Sequence, residues 1–119
     1  MDLAQMRAQN ARPFILVDEM GVVIEVNQAF CAEFGWSEPD IVGLSVDVII
    51  PPNLRDAHHI GFSRFIVTTQ SSILNQDLVL PAVDKAGRVF QATHHIIAEQ
   101  QAGKWLIAAT IVRIRTDGE

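Results

Sequence analysis

The sequence predicts an α+β fold, a five-stranded antiparallel sheet with short helices on one face and an N-terminal flanking helix. Three observations lead to this class. Apolar runs typical of strands occur twice before and three times after a helical middle part. Turn residues separate neighbouring runs by so few positions that the strands must be antiparallel. Finally, 119 residues, 49% of them hydrophobic, suffice for one domain with its own core.

The first element is a short amphipathic helix over residues 1–11. Leu3 and Met6 lie on one side of it, and Pro13 follows its end. So short a helix contributes little to a core. We therefore expect it to dock on a neighbouring subunit.

A hairpin and a capped helix come next. Strand-like runs at 14–18 and 22–26 flank a short turn that ends in Gly21, which is typical of an antiparallel hairpin. Asn27 is a suitable N-cap for the helix that follows. Gly35 is a suitable left-handed stop for the same helix.

Two further helices and three strands complete the chain. Ser37 with Asp40 three residues later has the spacing of a capping box. The segment 51–65 is predicted to be a helix with Asn53 as its N-cap. Alternating and apolar runs separated by turn residues predict three strands at 74–83, 89–99 and 105–115.

Charge and composition exclude several function classes. The formal net charge is −5 without any Lys/Arg run, which argues against nucleic-acid or anionic-membrane binding. No apolar run reaches the roughly 20 residues of a membrane span. A single cysteine, Cys31, excludes internal disulfides and favours a cytoplasmic location. No nucleophile elbow, phosphate loop or His-Glu-x-x-His motif is present, so we expect no enzyme.

The helix at 51–65 carries an apolar stripe that includes a histidine. Its members are Leu54, Ala57, His58, Gly61, Phe62 and Phe65. If the stripe faces a cavity, so does the imidazole of His58, and Arg64 can reach the rim. A histidine that can bind iron and an arginine that can pair with an anion suggest an iron porphyrin with anionic propionates. The alternatives are a half-buried His58 with a local hydrogen bond and a solvated Arg64 paired with Asp56 or Asp77. His59 is predicted to point elsewhere, toward the surface.

A second histidine pair lies on the predicted strand 89–99. Because adjacent strand residues face opposite ways, His94 shares the inward face with Phe90, Ala92 and Ile96. His94 can be a second iron ligand, a donor to a bound gas, or a core-edge histidine with a backbone partner. A zinc ion shared by His58 and His94 lacks further ligands at matching spacing. Asp47 is interpreted as a solvated turn or cap residue.

Several motifs resemble those of the PAS family, over about residues 12–115. They are Ile15-Leu16-Val17-Asp18 with Gly21, Val26-Asn27-Gln28-Ala29-Phe30, Phe34-Gly35-Trp36-Ser37-Glu38, Ile41-Val42-Gly43 and the turn Lys85-Ala86-Gly87. The resemblance implies a PAS fold and a sensory or dimerisation module attached to an output domain. Residues 1–11 would flank this module and 116–119 would begin a linker.

The segment around His58 resembles the haem-bearing helix of bacterial oxygen-sensing PAS domains. This implies haem b bound through His58, with Arg64 paired to a propionate and a diatomic gas or redox state as the signal. The implied pocket residues are Leu54, Phe62, Ile73, Leu78, His94 and Ile96. Leu78 stands where such oxygen sensors carry an arginine, so the distal side would be more apolar here.

Two alternatives remain open. The chain can be a PAS dimerisation module whose pocket is empty or filled by a lipid or metabolite. The other alternative is a flavin. It would be bound non-covalently, because Cys31 lies on the wrong helix to be the cysteine of a flavin photosensor. A homodimer is expected through the N-terminal helix, the sheet face, or both.

Overall fold

Five strands form one antiparallel sheet in the computed structural model, which describes residues 2–68 and 74–115. The strands are β1 (Phe14–Asp18), β2 (Val23–Val26), β3 (Asp77–Val83), β4 (Val89–Gln101) and β5 (Lys104–Arg113). They lie in the order β2-β1-β5-β4-β3. The predicted α+β class and antiparallel sheet are confirmed.

The helices lie mostly between β2 and β3 in the sequence. They are α1 (Leu3–Ala8), α2 (Gln28–Phe34), α3 (Glu38–Ile41) and α4 (Arg55–Thr68), with 3₁₀ turns at Val46–Ile49 and Pro52–Leu54. We call the first of these two the 46–49 turn. In the described part of the chain, no helix is long and apolar enough to cross a bilayer. Two predictions, the pocket residue Ile73 and the linker 116–119, fall outside the described residues.

The two faces of the sheet carry separate apolar clusters. The inner face, covered by α2 and α3, holds the main core, which includes Phe30, Phe34, Ile41, Phe90, Ala92 and Ile111. The rings of Phe30 and Phe34 are stacked with centroids 4.3 Å apart. Cys31 packs against this core, and burial raises the pKa of its thiol, as expected of a structural residue.

Helix α1 covers the outer face of the sheet. Leu3 and Met6 are buried against Phe14, Leu16, Ile97 and Ala108. The backbone N–H of Leu3 also donates to Oε2 of Glu99 over 2.8 Å. The two residues that we expected to dock on a neighbouring subunit are therefore part of the chain's own core.

Asn27 joins three segments at the start of α2. Its Oδ1 accepts from the N–H of Phe30 at 2.9 Å and from that of Phe14 at 3.0 Å. Its Nδ2 donates to the carbonyl of Arg12 at 2.9 Å. Gly35 ends α2 at φ 75°, and its N–H donates to Cys31. Both predicted caps of α2 are confirmed.

Replacing Asn27 by alanine is expected to lower the free energy of unfolding by about 1–2 kcal/mol. The change leaves the N–H groups of Phe30 and Phe14 without their acceptor. Urea denaturation measures the loss. The matched control is Gln28→Ala at the exposed first residue of α2, and equal effects of the two substitutions would contradict the bridging role.

Two predicted caps are wrong. Ser37 makes no side-chain cap on α3, so its capping box with Asp40 does not form. Asn53 lies inside a 3₁₀ turn, Pro52–Leu54, that runs directly into α4. Proline favours the first helical position, because its φ is already helical and it has no N–H to satisfy. The helical segment therefore starts at Pro52, one residue before the predicted cap.

Candidate functional site

The part of helix α4 whose side chains the structure describes is packed loosely against the rest of the described chain. None of its described side chains, residues 55–64, is buried, and only Arg55, His58 and Phe62 are half-buried. Nε of Arg55 donates to the carbonyl of Ile50 at 2.9 Å. The predicted apolar stripe is thus only partly confirmed, because Leu54 and its other described members remain exposed.

His58 presents a half-buried imidazole whose Nδ1 has no hydrogen-bond partner among the residues that the structure describes. Its ring centroid lies 5.9 Å from that of Phe62, which packs against the main core. Burial lowers the pKa of His58, the carboxylate of Asp47 opposes this, and His59 adds to the lowering. The ring is therefore neutral at pH 7 and keeps a nitrogen lone pair.

Asp47 lies beside both histidines of α4. Nε2 of His59 is 2.6 Å from Oδ2 and 2.7 Å from Oδ1 of Asp47, and Nδ1 of His58 is 3.9 Å from Oδ1. Asp47 lies in a 3₁₀ turn, as interpreted, but its side chain is half-buried and contacts His59 instead of being solvated. His59 is exposed, as predicted, although both histidines lie beside Asp47. The sequence contains no local signal for this contact, because the carboxylate and the histidines are more than ten positions apart.

His94 is a buried imidazole on the inner face of β4. It pairs in register with Leu78 of β3 and Ile111 of β5, so the three side chains share one face. Its Nδ1 lies 3.1 Å from the carbonyl of Ala92. A carbonyl only accepts, so Nδ1 carries the proton and Nε2 of the neutral ring carries the lone pair. Burial lowers the pKa of His94, and the Ala92 contact opposes this. The predicted inward orientation is confirmed.

The described residues cover the inner face of β3 and β4 incompletely. Leu78 and Ile96 are half-buried, and Leu80, opposite the buried Ala92, is 38% exposed. Leucine on a core-facing strand position normally is buried. The structure therefore brings Leu78, His94 and Ile96 together on an open apolar surface, whereas Arg64 lies exposed on α4.

Protonation of His94 is expected to make the domain less stable in mild acid. The unfolded chain takes up a proton near the ordinary pKa of 6.5, and the folded chain only at lower pH. The free energy of unfolding should thus fall as the pH drops from about 7.5 to 5.5. Urea denaturation across this range should show a smaller fall for His94→Gln. His95→Gln is the control, because His95 lies on the opposite face of the strand. An equal fall in the free energy of unfolding of the wild type and both variants would contradict the role of His94 in the acid destabilisation.

Comparisons with known proteins identify the fold. The sequence profile of the PAS fold matches residues 2–104. The chain is 30% identical over 98 residues to an uncharacterized protein of Azorhizobium caulinodans and 28% identical over 89 residues to Sensor protein FixL of Bradyrhizobium diazoefficiens. These alignments cover 82% and 75% of this chain, but only 13% and 17% of the two relatives.

Solved structures agree with the sequence profile. A light-oxygen-voltage domain studied with a flavin analogue superposes with a TM-score of 0.72 over 98% of this chain and 89% of that domain. The two sequences are 14% identical, so this likeness concerns the fold alone. The PAS fold that the sequence motifs implied is confirmed.

Proposed function

The chain belongs to the PAS family of sensor and signalling modules, and we propose that it binds haem b through His58 and regulates an attached output domain. Members of the family are in general sensory rather than catalytic modules. The observation that carries the haem proposal is the half-buried imidazole of His58, whose Nδ1 has no hydrogen-bond partner among the described residues.

The described residues include the residue types that a haem group requires. A haem needs an unprotonated axial nitrogen, apolar walls and a cation for its propionates. His58 would supply the nitrogen and Arg64 the cation. The walls would come from Leu54, Phe62, Leu78 and Ile96, and from Ile73 in the segment outside the described residues. When bound, the iron would supply a reversible site for a diatomic gas or a one-electron redox change.

The distal role of His94 follows from its tautomer. With the Nδ1 proton on the carbonyl of Ala92, Nε2 offers a lone pair and no N–H. We therefore propose that Nε2 of His94 would be a second nitrogen donor to a bound haem, which a gas would have to displace, rather than a hydrogen-bond donor to that gas. Leu78 pairs with His94 in register and would keep this side apolar.

A haem titration tests the proposal. Tag-free protein is titrated with haemin, and the absorbance between 350 and 450 nm is followed to a stoichiometry of about one. A saturating Soret band distinct from that of free haemin is the expected result. A spectrum identical to that of free haemin at every ratio would contradict the proposal.

Non-covalent flavin is the second candidate, favoured by the structural likeness to the light-oxygen-voltage domain. The open apolar surface at Leu78 and Leu80 would suit a planar ring system of either kind. A parallel titration with flavin mononucleotide, followed by fluorescence quenching, separates the two. Quenching by the protein without a Soret shift would favour flavin.

We further propose that the module works as a cytoplasmic homodimer within a longer protein. The chain aligns with only 13% and 17% of the length of its two relatives, which supports an attached output domain. Val79 and Val112, aligned across Thr93 on the outer face, are exposed apolar residues that support pairing through the sheet. Concentration-dependent sedimentation of the wild type and of Val79→Lys tests this pairing.

A further inference from the structure

We propose that Asp47, His58 and His59 form a binding site for one divalent transition-metal ion of the zinc class. One ligand atom from each residue lies within 4.8 Å of the other two. Two imidazole nitrogens and a carboxylate oxygen are donors that zinc and its neighbours prefer, whereas magnesium and calcium prefer oxygen alone. This site goes beyond the proposed haem function, and it does not depend on it.

The observed distances are close to those of a tetrahedral site. With metal–ligand bonds of about 2.0–2.1 Å, tetrahedral ligand atoms lie about 3.3 Å apart. With Oδ1 of Asp47 as the ligand atom, Nε2 of His59 is 2.7 Å and Nδ1 of His58 is 3.9 Å away, and no two ligand atoms of the cluster are more than 4.8 Å apart. Inserting an ion therefore requires changes of at most about 1.5 Å in the distances between ligand atoms.

The two sides of the cluster are anchored differently. Asp47 lies in the 46–49 turn, which is fixed by the buried side chains of Val46 and Ile49 and by the cap from Ser45. The histidines lie on α4, none of whose described side chains is buried. The carboxylate is thus preorganised, and a small shift of the loosely packed helix brings both imidazoles into coordination distance.

The metal would resolve the one unsatisfied group of the cluster. Nδ1 of His58 is buried, has no hydrogen-bond partner among the described residues, and lies on the side of Asp47. A buried polar nitrogen without a partner costs free energy. His59, whose side chain is 57% exposed, leaves the cluster open to solvent, so a water completes the fourth position.

Binding of the ion would link α4 to the 46–49 turn. It would also draw the imidazole of His58 toward Asp47, so that metal and haem compete for one residue. Zinc-saturated protein is therefore expected to take up haem more weakly than metal-free protein. The PAS module would then have a second chemical input at its sensor helix.

Calorimetric titration with zinc tests the site. Tag-free, chelator-washed protein is titrated with ZnCl₂ in a non-coordinating buffer. The expected result is one site per chain, with the affinity lowered at least about tenfold in His59→Ala and in Asp47→Asn, since even indirect loss of ligand support costs that much. His95→Ala is the matched control, because His95 also contacts a carboxylate, that of Asp77 at 2.9 Å, but without a second histidine ligand.

The outcomes separate this proposal from the haem proposal. Zinc binding that is lost in His59→Ala and kept in His95→Ala supports the metal site, whether or not the protein takes up haemin. Absence of a stoichiometric zinc site, or an affinity unchanged in His59→Ala, overturns it. Haemin uptake is measured on the same His59→Ala protein, because this exposed residue has no role in the proposed haem site.

Discussion

His58→Ala is expected to lower the affinity for haem by at least about tenfold, because it removes the proposed axial nitrogen. The ring of His58 is half-buried and next to Phe62, and burial lowers its pKa. Alanine keeps the helix intact, since it is the best helix former and His58 is only half-buried. The Soret titration described above measures the change.

The adjacent histidine provides the matched control for this experiment. His59 is exposed and contacts Asp47, and we expect His59→Ala to bind haem within about twofold of the wild type. Circular dichroism establishes that both variants are folded. Equal haem affinities of the two variants would argue against a specific role of His58.

Phe34→Ala is expected to have the largest effect on stability. The ring is fully buried, is stacked on Phe30 at 4.3 Å and lies 5.2 Å from Phe90. Removing it leaves a cavity between α2 and the sheet, at a cost of about 3–5 kcal/mol. A small domain is typically stable by only about 5–15 kcal/mol, so this loss removes a large share of the total free energy of unfolding.

Chemical denaturation of the variant measures this loss. Met20→Ala is the control, because Met20 lies in the β1–β2 turn with 80% of its surface exposed. We expect it to change the free energy of unfolding by less than about 0.5 kcal/mol. A Phe34→Ala loss below about 1 kcal/mol would mean that the aromatic stack is not the centre of the core.

The strands and the first cap could be predicted because their signals are local. Alternating apolar residues and the turn at Gly21 lead to the hairpin of β1 and β2. Asn27 and Gly35 lie one residue before and one residue after α2, where their side-chain acceptor and left-handed φ are needed. Each of these features is decided within about four residues of sequence.

The start of α4 and the position of α1 could not be predicted in the same way. The first helical turn begins at Pro52 rather than after Asn53, because the φ of proline is already fixed near the helical value. The amphipathic pattern of Leu3 and Met6 shows that one side of α1 needs an apolar partner. It does not show whether that partner is another subunit or the outer face of the chain's own sheet.

The candidate site was predictable only in part. Strand alternation places His94 inside, and helical periodicity places His58 and Phe62 on the half-buried side of α4. The carboxylate of Asp47 could not be found, because its contact with His59 depends on how the 46–49 turn meets α4. Periodicity gives the direction of a side chain from its own helix, but not which distant residue lies there.

We propose that His58 supplies a nitrogen ligand to a bound haem. The most direct test is the visible spectrum of ferrous His58→Gly protein with and without added imidazole. We expect the wild-type spectrum to be lost in the variant and restored by imidazole at millimolar concentration. A variant with the wild-type spectrum before imidazole is added would contradict it.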